Sequence, residues 1–237
     1  MPGALGLLAA SLSISLIWPQ VWLCCRHRRT SGLSPTATFL SVALNFSWSV
    51  FGLLTRDPAQ WVTNAVVGLG NTAVLVALLV TQPDVRARRV LARSASAAAG
   101  LLAFAAGGIA SVTLLGTAPA TVTGALGAVT SVVAAATACV QPLSLLRDRT
   151  QDLSGLSRTR WWLSAGATSA WTGYGWLQDR PAVWASAAVG LGCALVVSAL
   201  LLAGPVAQPA GRPVLRSRTR LAGLRPAERP AMIAAAA

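Results

Sequence analysis

Seven apolar segments, each close to the length of a bilayer crossing, constrain this chain more than any other feature. They fall at residues 4–25, 35–54, 61–80, 95–117, 120–146, 161–177 and 181–203. A bilayer core requires about 20 apolar residues per helix. The fourth segment is rich in small residues (Ala98, Ala99, Gly100, Gly107, Gly108), which let helices approach closely in lipid, so it reads as a packed helix. Only 11% of the 237 residues are charged, against about 25% in a soluble domain, so the outer surface is one that faces lipid. The expected fold class is an all-α membrane protein with seven transmembrane helices.

The chain has no lysine, and its 19 arginines all fall outside the seven segments. One arginine at a helix centre would cost about 2.5–3.5 kcal/mol on insertion scales. The first, third and fifth loops and the chain after residue 204 carry 17 of them, whereas the other side of the membrane has only Arg56 and Arg180. The positive-inside bias therefore places the N-terminus outside and the C-terminus in the cytoplasm, in the cell membrane. A net charge of +13 distributed in this way marks topology and excludes nucleic acid, which would call for a basic face. The first basic cluster follows the first apolar run, so that run reads as a true span and not as a cleaved signal. Residues 205–237, rich in Pro, Arg and Ala, read as a disordered tail that either rests on anionic head groups or is simply solvated.

The sequence also repeats itself. Shifted by 123 residues, Pro19 falls on Pro142, Arg26 on Arg149, and Ser31-Gly32-Leu33-Ser34 on Ser154-Gly155-Leu156-Ser157. Trp48 falls on Trp171, Phe51 on Tyr174, Gly52 on Gly175, Pro58 on Pro181 and Trp61 on Trp184. After a one-residue slip, Val67-Gly68-Leu69-Gly70 meets Val189-Gly190-Leu191-Gly192, and Asn64 meets Ser186. Each copy holds three spans, an odd number, and the fourth span restores the orientation of the second copy. The organisation is thus a three-helix repeat in 1–82, a loop and linker helix in 83–119, a second three-helix repeat in 120–204 and the tail in 205–237. Parallel repeats of this kind are a transporter plan, with the substrate site at the repeat interface near the midplane.

The run Trp18-Pro19-Gln20, the arginine cluster after it, the Ser31-Gly32-Leu33-Ser34 tetrad, Trp48, Phe51-Gly52 and Asn64 resemble a PQ-loop repeat. That family includes the SWEET and SemiSWEET sugar transporters and lysosomal exporters of cystine and cationic amino acids. The resemblance spans about residues 10–80 and again 135–203. The second copy reads Gln141-Pro142, in reversed order, which turns Gln20 and Gln141 about 200° apart around their helices. The resemblance implies that Pro19 and Pro142, with Gln20 and Gln141 beside them, are hinges of a cytoplasmic gate; the bland alternative is a pair of static kinks. It implies that Trp48 and Trp171 flank a sugar ring, where packing between helices is the alternative. It also makes Asn64 a substrate-binding asparagine, with Ser186 opposite. Asn71, two turns on from Asn64 and on nearly the same face, is a further candidate. A buried amide in lipid serves either as glue between helices or as a ligand contact. Trp61 and Trp184, just after Pro58 and Pro181, read as anchors at the outer interface.

What the spans lack narrows the function. The six acids (Asp57, Asp84, Asp148, Asp152, Asp179, Glu228) all sit in loops, at membrane edges or in the tail, whereas proton-coupled carriers need a titratable group within the membrane. No catalytic acid or histidine lies in a span, so no enzyme is expected. His27 reads as a solvated loop residue. Cys24, Cys25, Cys139 and Cys193 have no disulfide or metal spacing, and no cofactor or metal is expected. The reading is a facilitative uniporter for a small polar solute, with a sugar as the expected class. Its alternatives are a proton-coupled amino-acid exporter and a non-transporting receptor on the same scaffold, as in the KDEL receptors. A receptor for a peptide carboxylate would want a cation inside the bundle, and none is there. One chain contains a complete path, so a monomer suffices and a homo-oligomer stays open.

Overall fold

Inside a bilayer the backbone N–H and C=O groups have no water to bond, so a chain of apolar segments satisfies them within helices. The computed structural model describes residues 2–30, 33–147 and 158–203, all within one compact unit at residues 1–205. Among the described residues there are seven α-helices and no strand: α1 Pro2–Val21, α2 Pro35–Leu54, α3 Pro58–Thr81, α4 Arg88–Leu115, α5 Pro119–Arg147, α6 Arg158–Leu177 and α7 Pro181–Ala203. Five of them begin on proline, where the missing N–H is one that a first turn leaves unpaired anyway. Ser34 and Asp57 cap α2 and α3 by accepting from the backbone N–H of Ala37 and Gln60. Ser31, Gly32, the second tetrad at 154–157, Asp148, Arg149, Asp152 and the tail with Glu228 lie outside the described residues.

Two features of the helices bear on the membrane boundary. Among the seven described helices, six are by length and composition alone apolar enough to cross a membrane. The exception is α6, whose 20 residues are diluted by Ser, Thr, Gly and two arginines. It is held instead by its neighbours, packing along α7 within its own repeat and along α1 of the other. Further, the helices outrun the apolar segments at the arginine-rich end. Helix α4 starts at Arg88, α6 starts at Arg158 and α5 ends on Arg147, so these arginines sit on helix ends rather than in loops.

The helices assemble as two three-helix repeats joined by a linker helix. In the first repeat α3 packs between α1 and α2, and in the second α7 packs between α5 and α6. The repeats meet by α1 on α6 and α2 on α5, while α4 lies mainly along α2 and also touches α5. Equivalent residues make equivalent contacts. The N–H of Asp57 donates to Gly52 and that of Arg180 to Gly175, both at 2.8 Å, and each turn uses one left-handed residue, Arg56 (φ 54°) and Asp179 (φ 51°). Those turns bring the backbone of α3 against Gly52 and that of α7 against Gly175. A Cβ would stand 2.6 Å from Trp61 N at Gly52 and 2.7 Å from Trp184 N at Gly175. The sulfurs of Cys139 and Cys193 lie 3.7 Å apart across α5 and α7, and both cysteines are free.

Because a new methyl at Gly52 or Gly175 meets backbone, Gly52→Ala and Gly175→Ala are each expected to destabilise the bundle by about 1–3 kcal/mol. Gly100→Ala, with nothing within 4 Å, serves as the control. Thermal unfolding of the detergent-solubilised protein reads the difference, and equal melting of all three variants would refute the close-approach account.

Candidate functional site

A cavity of about 300 Å³ lies between the two repeats, at the small end of the roughly 300–1,000 Å³ that ligand pockets span. Helix periodicity builds its walls. Gln60, Thr63, Asn64 and Val67 are spaced i, i+3, i+4, i+7 on one face of α3, and Val183, Ser186 and Ala187 form a similar face on α7. Asn45 and Trp48 enter from α2, Thr168 and Trp171 from α6, Ala134 and Ala138 from α5, and Ser13 from α1. No lining residue is charged. Among the described residues no group of three or more His, Cys, Asp or Glu is placed to hold a metal ion.

Four of the five residues expected to face the substrate, Trp48, Asn64, Trp171 and Ser186, thus share one cavity. Asn71 is not among the lining residues; it sits about 6 Å farther along α3 than Val67. The one-residue slip falls later than the sequence suggests. At the constant shift of 123, Gln60, Thr63 and Asn64 stand opposite Val183, Ser186 and Ala187, all of them lining residues. By Gly68, which packs on Asn45 as Gly190 packs on Thr168, the shift has become 122. The counterpart of Asn64 is therefore Ala187, and Ser186 answers Thr63. The sequence offers no anchor between Trp61 and Val67 that would locate the slip.

The two tryptophans have matching surroundings. Trp48 meets Phe51 edge-on at 5.4 Å and Trp171 meets Tyr174 edge-on at 5.5 Å. The indole N–H of Trp171 donates to Ser13 Oγ at 3.0 Å, whereas the residue equivalent to Ser13 is Ala136, which has nothing to accept.

Beyond the tryptophans, toward the α2–α3 and α6–α7 turns, polar bonds tie one repeat to the other. Tyr174 (4% exposed) donates its hydroxyl to Asp57 Oδ1 at 2.7 Å, and Asp57 is itself 6% exposed. The same carboxylate oxygen accepts the backbone N–H of Gln60 at 3.1 Å. Arg180 donates from Nη2 to the Thr55 carbonyl at 3.3 Å. This latch is one-sided, because Phe51 replaces Tyr174 and Arg180 replaces Asp57 at the equivalent positions. Sequence reasoning placed Asp57 at a membrane edge and passed over its burial. Its partner lies 117 residues away, and only the packing of the repeats joins them.

The expected hinge residues occupy the opposite end. Pro19 lies exposed inside α1, and just beyond it the helix widens into a π turn, Trp22–Arg26, a distortion found where an α-ladder is interrupted. Pro142 is buried inside α5, which continues as an α-helix to Arg147. Gln20 donates to Cys24 Sγ on its own helix at 3.0 Å and takes no part in the cavity. Gln141 precedes Pro142 on α5, and its side chain lies outside what the structure describes.

Residues 2–61 match the family model of the PQ loop repeat. No curated protein matches the chain. The fold is similar to that of a eukaryotic SWEET transporter, with a TM-score of 0.63 at 14% identity over 85% of this chain and 95% of that one. The likeness bears out the arrangement of three helices, a linker helix and three helices, and the chain is a multi-pass membrane protein.

The latch predicts an accessibility change. With Asn64→Cys as the only cysteine, maleimide reaching the cavity from the turn side is expected to react several-fold faster once Tyr174→Phe is added. Unchanged reactivity would show that the Tyr174–Asp57 bond does not close that end.

Proposed function

We propose that this chain is a facilitative transporter for a small neutral solute, with a sugar as the class the site suits best. The observation that carries this reading is the uncharged cavity between two parallel repeats, flanked by two equivalent tryptophans and latched at one end. Trp48 and Trp171 offer flat apolar faces to the CH face of a ring, while Asn64, Ser186 and their neighbours offer hydrogen bonds to its hydroxyls. Stacking without charge suits a solute that must leave as readily as it enters. The eukaryotic SWEET transporter of similar fold supports transport on this scaffold.

The arginine bias places the N-terminus outside, and so assigns the Asp57–Tyr174–Arg180 latch to the extracellular end. Pro19 and Pro142 then lie at the cytoplasmic end, where a missing hydrogen bond to Ser15 or Ala138 lets the last turns of α1 and α5 swing. Transport is an exchange between two packings: latched outside with the proline end free to open, and the converse. The chain's own path needs no second copy.

A second reading is favoured by one observation. Asp57 is buried between the repeats and holds Tyr174, an ionisable side chain inside the bundle of the kind that ion-coupled carriers use. That reading is proton-driven export, with an amino acid as the alternative solute.

Uptake into proteoliposomes separates the two, using sugars and neutral and cationic amino acids with and without a pH gradient. Sugar flux that runs down its own gradient, unchanged by an imposed pH gradient, is the expected result. Gradient-dependent amino-acid flux that Asp57→Asn abolishes would establish the second reading instead. Trp48→Ala and Trp171→Ala are each expected to cut sugar flux about tenfold, a loss of roughly 1.4 kcal/mol. The double change Pro19→Ala, Pro142→Ala is expected to slow flux at normal expression, and full flux in that variant would reduce the prolines to static kinks.

A further inference from the structure

The cavity is paired in its aromatic residues but not in its hydrogen-bonding capacity. Gln60 and Thr63 are 4% and 3% exposed, yet Gln60 Oε1 and Thr63 Oγ1 have no partner among the described residues. Buried polar atoms are nearly always satisfied, and a turn of either side chain into the adjoining cavity would give these two a partner on the solute. Their counterparts on α7 offer much less. Val183 has no polar atom, and Ser186 Oγ already donates to the Ala182 carbonyl of its own helix at 2.9 Å. Thr168, the counterpart of Asn45, likewise donates to Ser164 at 2.8 Å.

The open groups on the first repeat also share a character. Asn45 and Asn64 each donate one amide N–H to the carbonyls of Ser41 and Gln60, at 2.7 and 2.8 Å, which leaves each a carbonyl oxygen and a second N–H to offer. With Gln60 they form a row of amides, which suits hydroxyls on the solute as donors and as acceptors. Facing them, Ala134, Ala138, Val183 and Ala187 form a wall of methyl groups.

Building on the reading of the cavity as a sugar-transport site, we propose that it selects a one-edged solute. Such a solute is a neutral ring with hydroxyls along the edge that meets Gln60, Thr63 and Asn64, and an unsubstituted or methyl-bearing edge that meets Val183 and Ala187. A 6-deoxyhexose fits this description, and a hexose hydroxylated all round does not, because its C6 hydroxyl would be buried against methyl groups with no partner. Gln60 also sits beside the latch, since its backbone N–H holds the Asp57 oxygen that accepts from Tyr174. Occupancy of this edge is therefore felt directly at the closed end.

The test uses the full chain in proteoliposomes with two matched pairs: glucose against 6-deoxyglucose, and galactose against 6-deoxygalactose. In the wild type the deoxy member of each pair is expected to show a half-saturation concentration about tenfold lower, the scale on which one mismatched group discriminates. Val183→Gln, or Val183→Thr if the longer side chain does not fold, is expected to erase or reverse that preference. Gln60→Val is expected to weaken uptake of both members. Equal or better handling of the parent sugars by the wild type would overturn the one-edged site alone, as would a preference that persists in both Val183 variants. Failure of the wild type to move any of the four sugars would overturn the sugar-transport reading, and this inference with it.

Discussion

A unit of three membrane helices ends on the opposite side of the bilayer from where it starts, and this constraint governs the rest of the structure. Two such units in direct succession would be inverted copies, with their tryptophans and turns facing opposite ways. Helix α4 adds the one crossing that makes the copies parallel. It has no counterpart in the repeat, and it lies outside the two triples along α2 and α5. Everything functional follows from the parallel arrangement. Trp48 and Trp171 stand at one depth, both sharp turns stand at one end, and both prolines stand at the other.

Within that frame the two halves have diverged in a consistent direction. The features that hold helices at a fixed separation are kept, as in Gly52 with Gly175, the left-handed Arg56 with Asp179, and the edge-on pairs Trp48–Phe51 and Trp171–Tyr174. The polar groups that face across the interface are not kept. Arg56-Asp57 becomes Asp179-Arg180, Phe51 becomes Tyr174, and Gln60 becomes Val183. Exact symmetry would set Asp57 against a phenylalanine and leave a buried carboxylate without its hydroxyl donor. The asymmetric pair instead gives one complete bond, Tyr174 to Asp57.

Much of this was legible in the sequence because it rests on local or periodic signals. Segment length, the arginine partition and the 123-residue shift disclose seven helices, their grouping and the shared depth of Trp48 and Trp171. The hydrogen-bonding wall was only half legible. Asn64 stood out through resemblance, but Gln60 and Thr63 share its face of α3 by the same helical period and were passed over. The pairing of Asn64 with Ser186 failed because the slip falls in a stretch of α3 that has no repeated residue. Tyr174 and Asp57 were beyond reach, since nothing local to either residue indicates which side chain crosses the interface. The π turn after Pro19 was likewise invisible, because a proline reports an interrupted ladder without saying how the chain repairs it.

Two packings of the same repeats, latched and unlatched at the turn end, form the core of the account. They are tested most directly by the distance between the repeats at that end. With Leu53→Cys and Leu177→Cys spin labels, both on half-exposed residues, in a background free of the native cysteines, pulsed electron resonance reads that distance in lipid nanodiscs. Two populations are expected, a short one matching the latched structure and a longer one, with their ratio shifting when the proposed sugar solute is added or when Tyr174→Phe is introduced. A single distance that responds to neither would contradict an alternating carrier.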